Sequence, residues 1–583
     1  MKRINIILSA VFAAALVSCA NELDVTNPNN QTTYDFGNNE SDLQEAVIAC
    51  YNRARLEGTF ARVGYTMDAV RGDEVWNSSL QWYLEYDNLN SPGTIGIGDQ
   101  WIWRDCFHIV NRCNFVLSKV DGAGLKTSAY NEIKGQALFL RALAYYELAT
   151  YYQTVPLYTD YKQYSSLESM YAKNATQDEI FDLIDEDLKV AMSILPSRDK
   201  GGEWAKGRAT CGAAAGYLAR SLMFRHKYDE AYTVLKDIIS GTYGTYDLME
   251  DYGANFKEGA EYENNKESLF EIQFMDYGQG GTVEEWTPVN ISSNATQGHA
   301  VESNYGSQKL GSWGDLAISP WLYNLFKEER CTDGTLDPRL YWTAVTYEPE
   351  YSSYTGASTA AYPNGDPRCN IVYQVEITET PVSNNKQGGI SIAKFTNARN
   401  NIYSTIVTGL NCGINLRLMR YSDVLLRAAE CENELNGPTQ TAIDYINKVR
   451  RRVALKDLQL SDFPTADKLF EQIANVERPK EFGCENGRGI DLIRWGFFYD
   501  SSRLAQISQH SAYKFDGTAS TESLTIETAD DYSYKYYQKG HEYFPIYQNT
   551  LDANPNLTGN SANKNIDNGE AFLAKWSVRP IAQ

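Results

Sequence analysis

Residues 135–158 read GQALFLRALAYYELATYYQTVPLY. Up to about Thr150 nearly every residue favours a helix, with Leu138, Leu140, Ala142, Leu143, Ala144 and Leu148 among the strongest formers. The apolar positions fall on more than one face, and a helix apolar on most sides is buried on most sides. Pro156 then ends the pattern, and the residue before a proline is pushed toward extended geometry. The stretch predicts a central packed helix that runs into an extended exit.

The chain on both sides is largely helical in pattern. Asp42 to Arg55 carries Leu43, Ala46, Val47 and Tyr51 on one side, and a second helix follows from Asp99. Thr176 is placed to cap a helix with acidic residues in its first turn. Lys206 to His226 and Tyr228 to Ile239 predict a hairpin in which Ala219 and Ala231 permit close approach, in the manner of a tetratricopeptide pair. From Met275 to Thr408 Gly, Ser, Asn, Thr and Tyr dominate and helical periodicity is lost. Short strands are expected there near Tyr341 to Thr346 and Ile371 to Ile377. Helices resume near Arg417 with a second hairpin.

Several ordered motifs resemble those of the SusD/RagB family. The central stretch contributes Gly135, Ala137, Phe139, Leu140, Arg141, Ala142, Ala144, Tyr145, Tyr146, Leu148, Val155, Pro156 and Leu157. Trp103, Phe107, Val110, Asn111 and Asn114 match a preceding helix, and GRAT at 207–210 and ESLFEIQ at 267–273 follow in order. Further on come RYSDVLL at 420–426, Glu477 to Trp495, and Pro545 to Leu557. Asn486 and Tyr547 depart from the family pattern in local turns only. The resemblance implies a mostly α fold of tetratricopeptide-like hairpins, with an irregular loop-rich segment and a few short strands. It also implies an outer-membrane lipoprotein that binds a glycan and partners a SusC-type TonB-dependent transporter, without a cofactor.

The N-terminus fits that expectation. Lys2 and Arg3 precede an apolar run to Val17 that is too short to span a bilayer at ~20 residues. Leu16-Val17-Ser18-Cys19 has the layout of a lipobox, so residues 1–18 read as a signal peptide, Cys19 as the lipidated residue and 19–40 as a polar tether. Residues 41–583 then form one domain: a helical part 41–274, an irregular insert 275–416 and a helical part 417–583. The net charge of −22 argues against nucleic acid as a partner. The ten cysteines include no C-x-x-C and the five histidines no H-x-x-x-H, so neither a disulfide framework nor a metal site is expected.

Two functional classes compete on the residues alone. The charged run Glu477, Arg478, Glu481, Glu485, Arg488, Asp491 and Arg494 could hide the two carboxylates of a glycoside hydrolase. Its interleaved signs instead predict ion pairs at i,i+3 and i,i+4 spacing joining two helices. A peptide ligand is a third reading, since the family also takes up other nutrients. For a binding surface, aromatic side chains in loops are better candidates than those committed to helix cores. Two loops supply them: Asp73 to Trp101, with Trp76, Trp82, Tyr83 and Trp101, and Tyr277 to Trp321, with Trp286 and Trp313. Arg71, Asp73 and Asn77 stand beside Trp76 and are expected to hydrogen-bond ligand hydroxyls.

Overall fold

The computed structural model describes residues 36–77, 81–94, 96–274, 298–306, 312–345, 390–396, 412–485, 487–511, 513–515, 526–528, 534 and 536–564. Cys19, the tether before residue 36, Trp286 and the strand expected at Ile371 to Ile377 lie outside them.

The helical frame begins with α1 (Glu40–Ala54), whose N-cap Asn39 accepts the amide of Asp42. It continues through α2 (Val63–Val70), α3 (Gln81–Asp87), α4 (Ile102–Val120) and α5 (Thr127–Tyr152). In α5 every residue from Gly135 to Tyr152 is buried, as its all-round apolar character requires. Gln153 ends it at φ 64°, and Pro156 pairs with Asn174 in extended geometry. The Arg141 guanidinium of α5 joins three helices: it donates twice to Asp187 at 2.8 Å and once to Asn114 at 2.8 Å.

α6 (Gln177–Ile194) starts at Thr176, which with Glu179 makes a reciprocal capping box. α7 (Cys211–Phe224) and α8 (Tyr228–Ile239) form the expected hairpin, with Ala219 and Ala231 fully buried. α7 begins later than Lys206 because Gly207 holds φ 77° and Thr210 is the cap. The second hairpin is α9 (Tyr421–Asn436) and α10 (Gln440–Arg452). Each long helix packs on the next: α1 on α4, then α4, α5, α6, α7 and α8 in succession, and α8 directly on α9. The chain between Ser240 and Arg420 therefore leaves the helical stack and returns to the same place.

The excursion contributes to two small sheets, one of them shared with β1 from the N-terminal part. β1 (Val75–Asn77), β3 (Leu316–Ile318), β4 (Ala344–Val345) and β5 (Ile390–Ile392) lie in the antiparallel order β1-β3-β5-β4. β2 (Ser268–Ile272) pairs with β6 (Leu416–Arg420), beneath α7. The strand expected over Tyr341 to Thr346 is only β4, because Asp337 caps a short helix, Pro338–Thr343. The loop expected over Asp73 to Trp101 contains α3, since Tyr83 and Tyr86, three apart, both find the core.

The charged run at 477–494 is interior. Arg420 donates to Glu267 at 2.6 Å, Glu481 at 2.8 Å and Glu485 at 2.8 Å. Arg452 reaches Glu267 and Glu481, Arg339 reaches Asp337 and Glu481, and Lys394 reaches Glu485. Arg478 bridges Asp423 and Asp491, and Arg494 bridges Glu430 and Asp491. Among the described residues, only the Arg494–Asp491 pair has the near-neighbour spacing expected of this run. The other pairs close across the chain, because the run turns through short helices and offers its charges in several directions.

One buried acid in α5 lacks this balance. Burial pushes the Glu147 carboxyl up to about 8, with Asp68 adding to the rise and Arg71 and Arg220 opposing it. Its folded value lies above its free value of 4.5, so its stabilising contribution is complete below pH 4.5 and is lost as pH rises through about 8. Glu147→Gln should therefore show a smaller fall in urea midpoint between pH 4.5 and pH 8 than the wild type. An equal fall in both proteins would contradict this placement of Glu147.

Candidate binding surface

Between α1 and α2 the chain makes a tight wide turn, Glu57–Ala61. Gly58 is required there: a Cβ would stand 2.2 Å from the Trp101 carbonyl oxygen. Its amide donates to Asp105 at 3.0 Å, which seats the turn on the start of α4. At the other end Arg62 pairs with Glu57 and lies 5.1 Å from the centre of the Trp313 ring. The turn thus carries half-buried Trp101 on one side and half-buried Trp313 on the other.

The two aromatic loops singled out in the sequence meet at this place. β1 pairs with β3, so Trp76 stands opposite Ala317 and Asn77 opposite Leu316. The chain enters β3 from Trp313 and leaves β1 toward α3, so both segments depart from the same end of the sheet. Trp82 is the second residue of α3. Tyr83, the third, is buried, and its hydroxyl accepts the Asn304 side-chain amide at 3.0 Å. Asn304 also donates to Asp315 at 3.2 Å, and the Trp313 amide donates to the Ser303 carbonyl at 2.7 Å. Burial pushes the Tyr83 hydroxyl up to about 12, so it remains protonated as an internal clamp.

Arg71 and Asp73 were expected to face a ligand, and both are interior instead. Arg71 donates to Asp68 and to the Thr150 carbonyl, and its guanidinium lies 4.1 Å from the Tyr151 ring centre. Asp73 takes two hydrogen bonds from Arg488, at 2.6 and 2.8 Å, and one contact from His510 at 2.7 Å. Burial alone would raise the Asp73 carboxyl, but Arg488 and His510 outweigh it and hold it well below the usual carboxylate range. Asn77 is half-buried at the end of β1. Arg62, Glu57 and Asn304 escaped sequence reading. Arg62 and Glu57 lie five apart across a non-helical turn, and Asn304 meets Tyr83 only through the tertiary fold.

The carboxylates of the 477–494 run do not form a glycosidase pair. Glu477, Glu481, Glu485 and Asp491 are buried and each meets Arg or Lys. Burial would raise Glu481, but Arg452, Arg420 and Arg339 hold it far below the range of a general acid. Among the described residues no group of three or more His, Cys, Asp or Glu is arranged to hold a metal ion.

The profile of the SusD family matches residues 266–562. The chain belongs to the SusD family. A second profile, described as starch-binding and associating with the outer membrane, matches residues 23–223 of this SusD-family chain. The SusD-like protein P25 of Formosa agariphila is 24% identical, over 86% of this chain and 91% of that protein. A SusD homolog from Bacteroides thetaiotaomicron superposes with a TM-score of 0.70 at 21% identity, covering 91% of this chain and 98% of that one. Surface glycan-binding protein A from Bacteroides thetaiotaomicron, solved in complex with laminarihexaose, superposes with a TM-score of 0.62 at 21% identity. It covers 89% of this chain and 99% of that one. These likenesses establish the SusD fold, including its helical hairpins.

Asp73→Asn tests the internal role of that carboxylate. It leaves the Arg488 guanidinium buried without its counter-charge and should lower stability by about 3–5 kcal/mol in urea unfolding. A loss below about 1 kcal/mol, the scale of an exposed pair, would show that the Asp73–Arg488 contact is not closed in solution.

Proposed function

We propose that this protein binds glycans at the surface built around the 57–62 turn, with Trp313, Trp101, Trp76 and Trp82 as stacking platforms and Asn77 as a polar neighbour. The observation that carries the reading is the convergence of the two aromatic loop segments at one end of the β1–β3 pair, in a SusD-family fold. Trp and Tyr faces suit the C–H faces of sugar rings, and half-buried rings held by internal contacts lose little freedom on binding. Trp286 belongs to the same proposal by its place in the second loop. The glycan-bound relative supports a carbohydrate ligand over a peptide one. No turnover is proposed, because the dense carboxylate run is spent on internal ion pairs.

The proposal extends to location and partner. The lipobox ending at Cys19 and the description of the N-terminal profile support a lipid-anchored protein of the outer membrane, exposed at the cell surface. There it would deliver its ligand to a SusC-type TonB-dependent transporter.

Calorimetry with an oligosaccharide panel that includes laminarihexaose tests the surface. For the first glycan that binds, at least two of Trp76→Ala, Trp82→Ala, Trp286→Ala and Trp313→Ala should each weaken affinity by ~1–3 kcal/mol. Wild-type affinity in all four variants would move the site elsewhere, and new reducing ends in the same mixtures would restore the hydrolase reading. Cys19→Ala should move the protein out of the membrane fraction; continued membrane attachment would refute the anchor.

A further inference from the structure

The outer face of α4 carries a basic row that begins at the aromatic surface. Arg104, His108 and Arg112 recur every four residues, so they run along one side of the helix over about 12 Å. All three are half-buried, and 41% of the His108 side chain is exposed. The row starts beside Trp101: the Arg104 guanidinium lies 5.8 Å from the centre of that ring. At its far end Arg112 donates to the Ala49 carbonyl of α1 at 2.9 Å.

The carboxylate that meets this row is shared. Asp105 is fully buried, accepts the Gly58 amide at 3.0 Å and two bonds from Arg104, and stands 3.7 Å from the His108 ring. It offsets Arg104. Arg112 faces a neutral carbonyl instead, which orients a guanidinium without cancelling its charge. Burial lowers the Arg112 guanidinium below its ordinary value, and the groups opposing that fall are the thiols of Cys50 and Cys113. Burial also lowers the His108 imidazole; Asp105 opposes the fall, while Arg53, Arg104 and Arg112 deepen it. The row therefore keeps a positive local field.

The chain as a whole is acidic, with a net charge of −22. At physiological ionic strength charges more than about 8 Å away are largely screened, so a ligand seated on α4 meets the nearby guanidiniums first. A single small ion would occupy one position of the row. An oligosaccharide laid from Trp101 along α4 can bring charged substituents to successive positions.

We propose that the ligand is an acidic glycan, whose sulfate or carboxylate substituents are held by Arg104 and Arg112 beside the Trp101 platform. This rests on the glycan-binding reading of the aromatic surface, to which Trp101 belongs. A guanidinium meets an oxyanion through paired N–H donors, and such charge-assisted bonds are roughly twice as strong as those to a neutral hydroxyl.

The test is calorimetric titration of the full mature chain, at constant ionic strength, with oligogalacturonate and with oligomeric κ-carrageenan, each beside its carboxyl-reduced or desulfated form. At least one acidic oligomer should bind roughly tenfold or more tightly than its neutral form, the scale of one charge-assisted hydrogen bond. Arg112→Gln and Arg104→Gln should each remove about that factor, while a neutral glycan that binds the wild type binds both variants equally. His108, followed by NMR and assigned with His108→Gln, should titrate at higher pH in the saturated complex than in the free protein. Preference for the uronate alone or for the sulfated oligomer alone supports the proposal and identifies the substituent. Four results overturn it: no binding of either acidic oligomer, equal affinity for charged and neutral forms, sodium sulfate binding as tightly as the oligomers, or acidic binding unchanged in Arg112→Gln. Failure of the aromatic surface shows separately, as wild-type affinity for a neutral glycan in every tryptophan variant.

Discussion

Arg420 is the point on which distant parts of this chain close. It is 1% exposed and holds Glu267 of the excursion's first segment together with Glu481 and Glu485 of the C-terminal run. Around it Arg339, Lys394, Arg420 and Arg452 face Asp337, Glu267, Glu481 and Glu485, so the charges balance. Such a network adds little net stability compared with an apolar core of the same shape, but removing one member strands a buried charge. Its physical effect is therefore selective. Few alternative packings could satisfy all these groups at once, and the chain between α8 and α9 has little helical periodicity to dictate its path.

The binding surface inherits its geometry from that closure. Arg488 holds Asp73, and Glu74 accepts the Cys484 amide at 3.1 Å. Those two carboxylates immediately precede β1, so the C-terminal run sets where β1 begins. β1 then registers β3, and β3 brings in the segment that carries Trp313. The aromatic surface is thus assembled from parts of the sequence some 240 residues apart, by contacts that are polar and buried beneath it.

What could be read beforehand follows from the range of the interactions involved. α5, the Thr176 cap and the α7–α8 hairpin depend on neighbours within a few turns, and the local residue pattern announced them. The tryptophans of the two loops were legible as candidates because loops leave aromatic rings few core positions. Arg71 and Asp73 misled for the same reason that Arg62 and Asn304 were overlooked. A polar side chain beside a tryptophan looks the same in sequence whether its partner is a ligand or a residue 415 positions away, as Arg488 is from Asp73. α3 was missed because its buried pair, Tyr83 and Tyr86, sits in a stretch that otherwise reads as loop.

Hydrogen exchange on Arg420→Met measures directly whether this network ties the three segments into one unit. The methionine keeps most of the side-chain volume and removes the charge that Glu267, Glu481 and Glu485 share. The account predicts a joint loss of protection in β2, in residues 478–494 and in β1, with the α4–α5 pair unchanged. Loss confined to residues 416–420, with β1 as protected as in the wild type, would contradict it.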